Sequence, residues 1–382
     1  MLAALLALLT PSAIALSDGK MNLLLVHVKK RITTFVGIDR YGGMVIVRLQ
    51  ELFRMIQYKK ISGNLEEEDS GNFRREKYNT GLLGMKQHFN LGKKIRKLYV
   101  DTGFLGKRYS SAEIYVRSTD YNRTIISALS NMIGMYGWNH GASRKGLDYP
   151  DVEGWPEAYV PIAVHTIDRR KDYEISSPGC PRRNKLQEIA LESEEAKALL
   201  KSPKVVNLFK ELTLRCGEEV DANNFWRIRD ILFIEQIHAN EILRKENEWF
   251  SDSLFNEMTY VDLRISRLLH GTFERPVVVN ELDIGREIQK VRGGTLFNKI
   301  STQMDMKLDC LNNTHKPKCK WINGLKYFVF SAHDFTLNNF FSILNLTNSE
   351  VVLPDGYPGY AAAAFIELWV NSTDNRPYFK VR

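Results

Sequence analysis

Short apolar runs of strand character occur in the first and last parts of the chain. They lie at residues 23–28, 113–117, 160–165, 326–330, 365–369 and 377–381. Apolar residues at helical spacing occupy 84–99 and 284–308, where Gly293 and Gly294 interrupt the second pattern. Strands that alternate with helices indicate a parallel or mixed sheet. We therefore predict an α/β fold, a mixed and mostly parallel sheet flanked by helices, from residues 21–174 and 282–382.

The middle of the chain has a different pattern. Between residues 175 and 281 the apolar positions follow helical spacing, and no convincing strand interrupts them. Helices are predicted at 184–200, 204–214, 224–243 and 249–269. We expect this section to form an α-helical cap domain inserted into the α/β core.

The first residues have the pattern of a secretory signal peptide. An apolar stretch over residues 2–9 ends at Pro11, and Ala13-Ile14-Ala15 supplies small residues at a cleavage site, which predicts a signal peptide at 1–15. The stretch is too short to span a bilayer. We expect a soluble mature protein, secreted or in the lumen of the secretory or lysosomal pathway, with no membrane span.

Cysteines and sequons agree with an oxidising compartment. The chain has four cysteines, and two of them, Cys310 and Cys319, flank a short polar loop that is easily closed. A bridge there leaves Cys180 to pair with Cys216. Zinc is a poor alternative because no C-x-x-C spacing or paired His accompanies the cysteines, and no metal or cofactor is expected. Glycosylation sequons begin at Asn312, Asn345, Asn371 and Asn122.

Composition adds little to this picture. The chain has 382 residues, 44% hydrophobic and 26% charged, with a net charge of +8. Its basic residues are scattered, apart from short clusters at 29–31 and 169–171, and no basic and aromatic array of the kind that stacks bases occurs. We expect a solvated basic surface and no nucleic-acid partner. A modest preference for anionic substrates is compatible with this charge.

His333 and Asp334 are the first candidates for chemistry. They follow the apolar strand at 326–330 and precede a helical pattern, so they fall between the carboxyl end of a strand and the amino end of a helix. Ligands bind at such junctions in open α/β sheets, and free helix N–H groups favour an anion. His333 would face that anion as a cation or donor, and Asp334 could carry a proton. A lone His-Asp pair is more often structural.

Arg123 lies at a second junction of the same kind, with Thr119 or Asp120 as the expected N-cap of a helix. A cation in the first helical turn is electrostatically misplaced unless an anion is bound there. A guanidinium suits the oxygens of a phosphate. The structural alternative is a surface ion pair between Arg123 and Asp120.

Together these segments resemble the histidine acid phosphatase family of the histidine phosphatases. The resemblance rests on Ile114-Tyr115-Val116-Arg117-Ser118-Thr119-Asp120-Tyr121-Asn122-Arg123-Thr124, Val160-Pro161-Ile162-Ala163-Val164-His165-Thr166, Cys180-Pro181, Ser331-Ala332-His333-Asp334 and the Gly-rich stretch at 84–92. It covers about residues 80–382 and implies hydrolysis of phosphate monoesters at acidic pH, without metal, through a phosphohistidine. Arg123 and His333 would bind the phosphoryl group, and Asp334 would protonate the leaving oxygen. Asn122 would border the pocket, which makes its sequon a poor candidate for glycosylation.

The sequence departs from this family at the nucleophile. The family motif R-H-G-x-R-x-P, which follows the first strand, occurs nowhere in the chain. If residues 23–26 form the first strand, Arg31 takes the place of the first Arg, as a further phosphate ligand, and Ile32 takes the place of the nucleophilic His. Isoleucine cannot be phosphorylated, and nearby His27 is better explained as a structural residue. We therefore predict impaired catalysis, with a non-catalytic phosphate-binding protein as the alternative. An incorrect sequence over 28–78 would also explain the missing motif.

Overall fold

A computed structural model of the chain describes residues 32–38, 82–137, 140–312, 316–317, 319–346, 358–371 and 373–381. The expected signal peptide at 1–15, the expected strand at 23–28 and Arg31 lie outside these residues. The described residues form two compact units. One contains the large sheet, with Leu82–Gly179 and the described part of Gly293–Arg382, and the other runs from Cys180 to Arg292. The cap domain predicted at 175–281 therefore overlaps most of this second unit.

The first unit is built on a six-stranded sheet, as predicted for the α/β fold. The strands found among the described residues are β1 Ile32–Ile38, β2 Ile114–Ser118, β3 Val164–His165, β4 Val278–Val279, β5 Leu282–Asp283, β6 Tyr327–Ala332, β7 Ala363–Val370 and β8 Pro377–Val381. The large sheet has the order β3-β2-β6-β1-β7-β8. Its first four strands are parallel, and β7 and β8 run antiparallel to their neighbours.

Ten helices are found in the described part of the chain. They are α1 Leu82–Ile95, α2 Asn122–Tyr136, α3 Pro181–Leu191, α4 Glu194–Leu200, α5 Pro203–Cys216, α6 Phe225–Glu246, α7 Asp252–Leu269, α8 Ile284–Asn312, α9 Cys319–Gly324 and α10 Asp334–Ile343. A single π-helical turn, Arg96–Val100, extends α1. None of the described helices is long and apolar enough to cross a membrane.

Strand β6 lies at the centre of the core. All six of its residues are buried. Phe328 and Phe330 pack into one apolar cluster with α8 and α10, while Tyr327 and Val329 pack into another with α1 and α2. Both faces of the strand are therefore covered, which explains why its sequence is an unbroken apolar run rather than an alternating one.

The helical unit contains α3 to α7, in agreement with the helical spacing of its sequence. The helix expected at 184–200 is two helices, because Ser193 caps α4 by accepting the N–H of Ala196 at 3.2 Å. The prediction of a section without strands was wrong at its end, where β4 and β5 form a two-residue antiparallel pair. The apolar faces of α5, α6 and α7 share one buried cluster around Phe225 and Met258.

The expected interruption at Gly293 and Gly294 is also absent, since α8 continues through both residues. A Cβ atom on Gly293 would lie 2.4 Å from the carbonyl oxygen of Asn339 in α10. Glycine at this position is thus required by the close approach of two helices and does not mark a helix end.

One of the two predicted disulfides is confirmed. Cys310 and Cys319 are bonded, with their Cα atoms 5.3 Å apart. The predicted pair of Cys180 with Cys216 was wrong, because both are free thiols. Cys180 is the N-cap of α3, where its sulfur accepts the N–H of Arg183 at 3.4 Å. Cys216 is buried at the end of α5, and this burial raises the pKa of its thiol to about 11. Cys180 therefore caps the start of α3, and Cys216 packs at the end of α5.

Candidate active site

The carboxyl ends of β2 and β6 bring the two predicted junctions together. The strands are parallel neighbours, with Ser118 opposite Ser331. The N–H of Thr119 continues this pairing by donating to the carbonyl of Ser331 at 3.0 Å. Each strand then leads into a helix, β2 into α2 and β6 into α10. This arrangement places Arg123 and His333, which are 210 residues apart in sequence, within hydrogen-bond distance.

Arg123 lies at the second residue of α2 and faces His333. Its Nη2 atom is 3.4 Å from Nδ1 of His333, and its guanidinium carbon is 4.6 Å from the centre of the Tyr121 ring. The alternative ion pair with Asp120 is not found among the described ion pairs. The N-cap of α2 is Tyr121, rather than Thr119 or Asp120 as expected from the sequence.

His333 is buried, with 5% of its surface exposed. Burial, and after it the positive charge of Arg123, holds the pKa of His333 well below its ordinary value. Because a guanidinium can only donate, Nδ1 of the neutral ring accepts from Arg123, and the ring proton is on Nε2. In this state His333 is neutral and donates through Nε2.

A chain of hydroxyl groups holds Nε2 of His333 and begins at Thr119, which the sequence suggested only as a helix N-cap. It donates to Oγ1 of Thr119 at 3.0 Å, and this oxygen is 2.8 Å from Oγ1 of Thr124. The Thr124 hydroxyl lies within 2.9 Å of the Tyr121 carbonyl, and Ser331 Oγ donates to the Thr124 carbonyl at 2.8 Å. These bonds fix the orientation of the imidazole ring. The sequence signal is slight: Ser118 and Ser331 lie at the carboxyl ends of their strands, and Thr119 follows β2 directly.

Two aromatic rings flank His333. Tyr121 meets its ring edge to face, with centroids 5.2 Å apart, and Phe335 stacks on it at 4.9 Å. Together they shield the imidazole from water and contribute to the low pKa of His333. Sequence analysis assigned no role to Tyr121, because an aromatic residue beside a helix start is ordinarily a packing residue.

Asp334 is the first residue of α10 and is half-buried. Its Oδ1 atom accepts the N–H of Phe335 at 2.8 Å. Its neighbour His333 is tied to the helix start, because the His333 N–H donates to Oγ1 of Thr336 at 3.3 Å. The structure therefore brings Arg123, His333 and Asp334 into one region.

A buried ion pair anchors the segment beside the site. Arg117, on β2, bonds Asp172 at 2.7 Å and also contacts Glu174. Oδ1 of Asp172 accepts the N–H groups of Glu174 and Ile175, each at 3.2 Å. The Ile175 carbonyl in turn accepts the hydroxyl of Thr336, on α10, at 2.9 Å. This network links the segment at 172–175 to β2 and to the helix that follows His333.

The expected position of the nucleophile was wrong. Strand β1 is parallel to β6, with Thr33 opposite Tyr327 and Ile38 opposite Ala332. Ile32 is therefore at the amino end of the strand, and His333 follows the carboxyl end of its neighbour. The chain continues after Ile38 with Asp39-Arg40-Tyr41-Gly42, which lie outside the described residues. The run at 23–26 is more apolar than β1 and therefore has the stronger strand pattern.

Among the described residues, no group of three or more His, Cys, Asp or Glu side chains is arranged to hold a metal ion. The candidate site consists of a guanidinium, an imidazole, a carboxyl group and two helix starts, a set suited to an oxyanion. It lies where parallel α/β sheets commonly bind their ligands.

The fold and site define an α/β protein in which a buried histidine and an arginine meet at the ends of two parallel strands. Residues 50–382 match the model of the histidine phosphatase superfamily, branch 2. The chain belongs to this family. It is 30% identical to a Caenorhabditis elegans protein provisionally named acid phosphatase 10, over 78% of this chain and 72% of the relative. It is 28% identical to the lysosomal acid phosphatase of Xenopus laevis, over 77% of this chain and 59% of the relative.

Solved structures show the same fold at lower identity. The phytase of Hafnia alvei in complex with tartrate superposes with a TM-score of 0.57 at 12% identity, over 92% of this chain and 83% of the phytase. The multiple inositol polyphosphate phosphatase of Bifidobacterium longum gives a TM-score of 0.53 at 11% identity, over 97% of this chain and 89% of that phosphatase. At this identity the likeness concerns the fold alone.

Proposed function

We propose that this protein binds phosphate monoesters at the ends of β2 and β6, and that its hydrolytic activity is impaired. The observation that carries the proposal is the 3.4 Å approach of Arg123 to His333 at two adjacent helix starts. Acid phosphatase relatives supply the substrate class, and the resemblance of the motifs supplies the residue roles. In this proposal Arg123 and His333 bind the phosphoryl oxygens.

Binding would change the hydrogen bonds of the site. A phosphate that enters between the two side chains replaces their direct contact with two bonds to its own oxygens. The negative charge of the phosphate favours a proton on Nδ1, so that His333 becomes a cationic donor with Thr119 still accepting from Nε2. Asp334, when protonated, would donate its proton to the leaving oxygen as a general acid.

Impaired turnover follows from the absence of a nucleophile. Covalent phosphoryl transfer divides one difficult displacement into two easier steps, and it needs a group that can carry the phosphoryl. No R-H-G-x-R-x-P motif occurs in the chain. The residues that follow β1 keep an Arg and a Gly, at Arg40 and Gly42, but have Tyr41 between them. The second candidate function is therefore that of a phosphate-binding protein without turnover.

Turnover of p-nitrophenyl phosphate at acidic pH tests the proposal. We expect a rate several orders of magnitude below that of a relative with the intact motif, where each factor of ten corresponds to about 1.4 kcal/mol. No labelled phosphohistidine should be trapped. Arg376→Ala is the surface control, because Arg376 is exposed and lies just before β8. Robust turnover that His333→Ala abolishes would show that the chain has a competent nucleophile.

We also propose that the protein acts in the secretory or lysosomal pathway. Lysosomal acid phosphatases are among its relatives, and the Cys310–Cys319 bridge suits an oxidising compartment. Among the sequon residues, Asn345 and Asn371 are exposed, and so is Asn122 at the start of α2. Peptide mapping of the secreted protein before and after glycosidase treatment would show which of them are glycosylated.

A further inference from the structure

The basic cluster at residues 169–171 lies beside the candidate site through one of its members. The guanidinium carbon of Arg169 is 5.9 Å from the centre of the Tyr121 ring, the same ring that Arg123 contacts and that meets the edge of His333. Since both guanidinium carbons are measured from one centroid, they are at most about 10.5 Å apart, the sum of the two distances. A compact ligand can therefore contact both cations.

Arg170, the next residue of the cluster, is paired with Asp168. Arg170 forms two bonds to the carboxylate of Asp168, at 3.1 and 2.8 Å, and its own N–H also donates to that carboxylate. The Lys171 N–H closes the turn on the Asp168 carbonyl at 2.8 Å. Asp168 thus orders the turn and neutralises Arg170. No ion pair among the described residues involves Arg169, which is exposed.

The turn is held in a fixed place beside the sheet. Directly after it, Asp172 bonds the buried Arg117, and Ile175 bonds Thr336 of α10. Tyr173 accepts the hydroxyl of Thr295 through its carbonyl. Residues on both sides of the site therefore anchor the segment that carries Arg169, and an anchored cation loses less conformational freedom when it binds an anion.

We propose that Arg169 forms a second anion subsite, which selects compact phosphate monoesters that carry a second phosphate or carboxylate group. This inference rests on the proposed function, since Arg123 and His333 bind the first phosphoryl group. A second negative charge on a sugar or polyol scaffold would lie at the outer edge of Tyr121, within reach of the Arg169 guanidinium. A planar guanidinium binds two oxygens of such a group at once.

Calorimetric titration with fructose 1,6-bisphosphate and fructose 6-phosphate tests the subsite. Arg169→Ala should weaken binding of the bisphosphate about three- to fivefold, the range expected of one exposed charge pair, and leave binding of the monophosphate unchanged. The preference of the unaltered protein for the bisphosphate over the monophosphate should decrease as salt is added, because exposed charges are screened. Arg169→Lys should retain part of it.

Lys171→Ala is the matched control, because it removes one positive charge from the same turn. It should leave both affinities unchanged. The proposal is overturned if Arg169→Ala weakens both ligands equally, if it weakens neither, or if Lys171→Ala has the same effect. If the unaltered protein binds both ligands equally and Arg123→Ala abolishes binding, the subsite fails and the proposed function stands. If the unaltered protein binds neither ligand, both fail.

Discussion

At the scale of single residues, the site is defined by the protonation state of His333. Its ring is buried between Tyr121 and Phe335 and faces Arg123, and this burial and then the Arg123 charge disfavour the imidazolium. The sequence could predict that His333 lies at a strand end, because the apolar run before it is unambiguous. It could not predict the neutral state, which depends on contacts between residues far apart in the chain.

A pH dependence of stability follows from this state. The unfolded chain protonates His333 below about pH 6.5 while the folded chain does not, so the unfolded state binds more protons. The free energy of unfolding should therefore fall as pH decreases below that value, by about 1.4 kcal/mol per pH unit for one such group, until the lower folded pKa is reached. His88 and His270 add to the slope, since burial lowers their pKa values to about 4 and about 3.

His333→Ala should flatten this slope, as measured by urea denaturation between about pH 7 and about pH 5. His165→Ala is the control for the loss of an imidazole, because His165 is exposed on the edge strand β3. An unaltered slope in the His333 variant would mean that His333 is as readily protonated in the folded protein as in the unfolded chain.

At the scale of elements, the sequence predicted those that have a strong local pattern and missed those that depend on long-range pairing. Strand β6 and the helices of the middle section follow from apolar spacing alone, because those patterns are strong and local. Strand β1 was missed, since its polar Thr33 and Thr34 make it less apolar than the run at 23–26. Its place depends on pairing with β6, almost 300 residues away, and with β7, more than 300 residues away, which no local pattern encodes. The two free thiols show likewise that an even cysteine count does not fix the pairing.

The register of β1 predicts that a histidine introduced at Ile32 cannot act as the nucleophile. A strand rises about 3.3 Å per residue, so Ile32 lies about 20 Å from Ile38, at the end of the strand away from His333. Ile32→His should therefore leave p-nitrophenyl phosphate turnover unchanged. The comparison variant is Tyr41→His, which completes an R-H-G sequence after the strand. A gain in turnover from Ile32→His, absent from Tyr41→His, would contradict the register.

At the scale of the whole molecule, the family assignment rests on the match over residues 50–382 and on the six-stranded sheet. All residues of the candidate site, with Arg169 and its anchoring network, belong to the unit that contains this sheet. Most of the motifs identified in the sequence lie in this unit, whereas Cys180-Pro181 begins the helical unit. Thr119, Thr124 and the Arg117–Asp172 pair support the site through contacts that only the fold reveals.

The central claim is that the ends of β2 and β6 form a phosphate site, and equilibrium binding of inorganic phosphate tests it most directly. Calorimetric titration of the whole protein at acidic pH should give one site. Arg123→Ala should weaken it by at least tenfold, since charge-assisted bonds to a phosphate are worth roughly 1.5–3 kcal/mol. Arg376→Ala should bind as the unaltered protein does. Phosphate binding of equal strength in the unaltered protein and in Arg123→Ala would contradict the account.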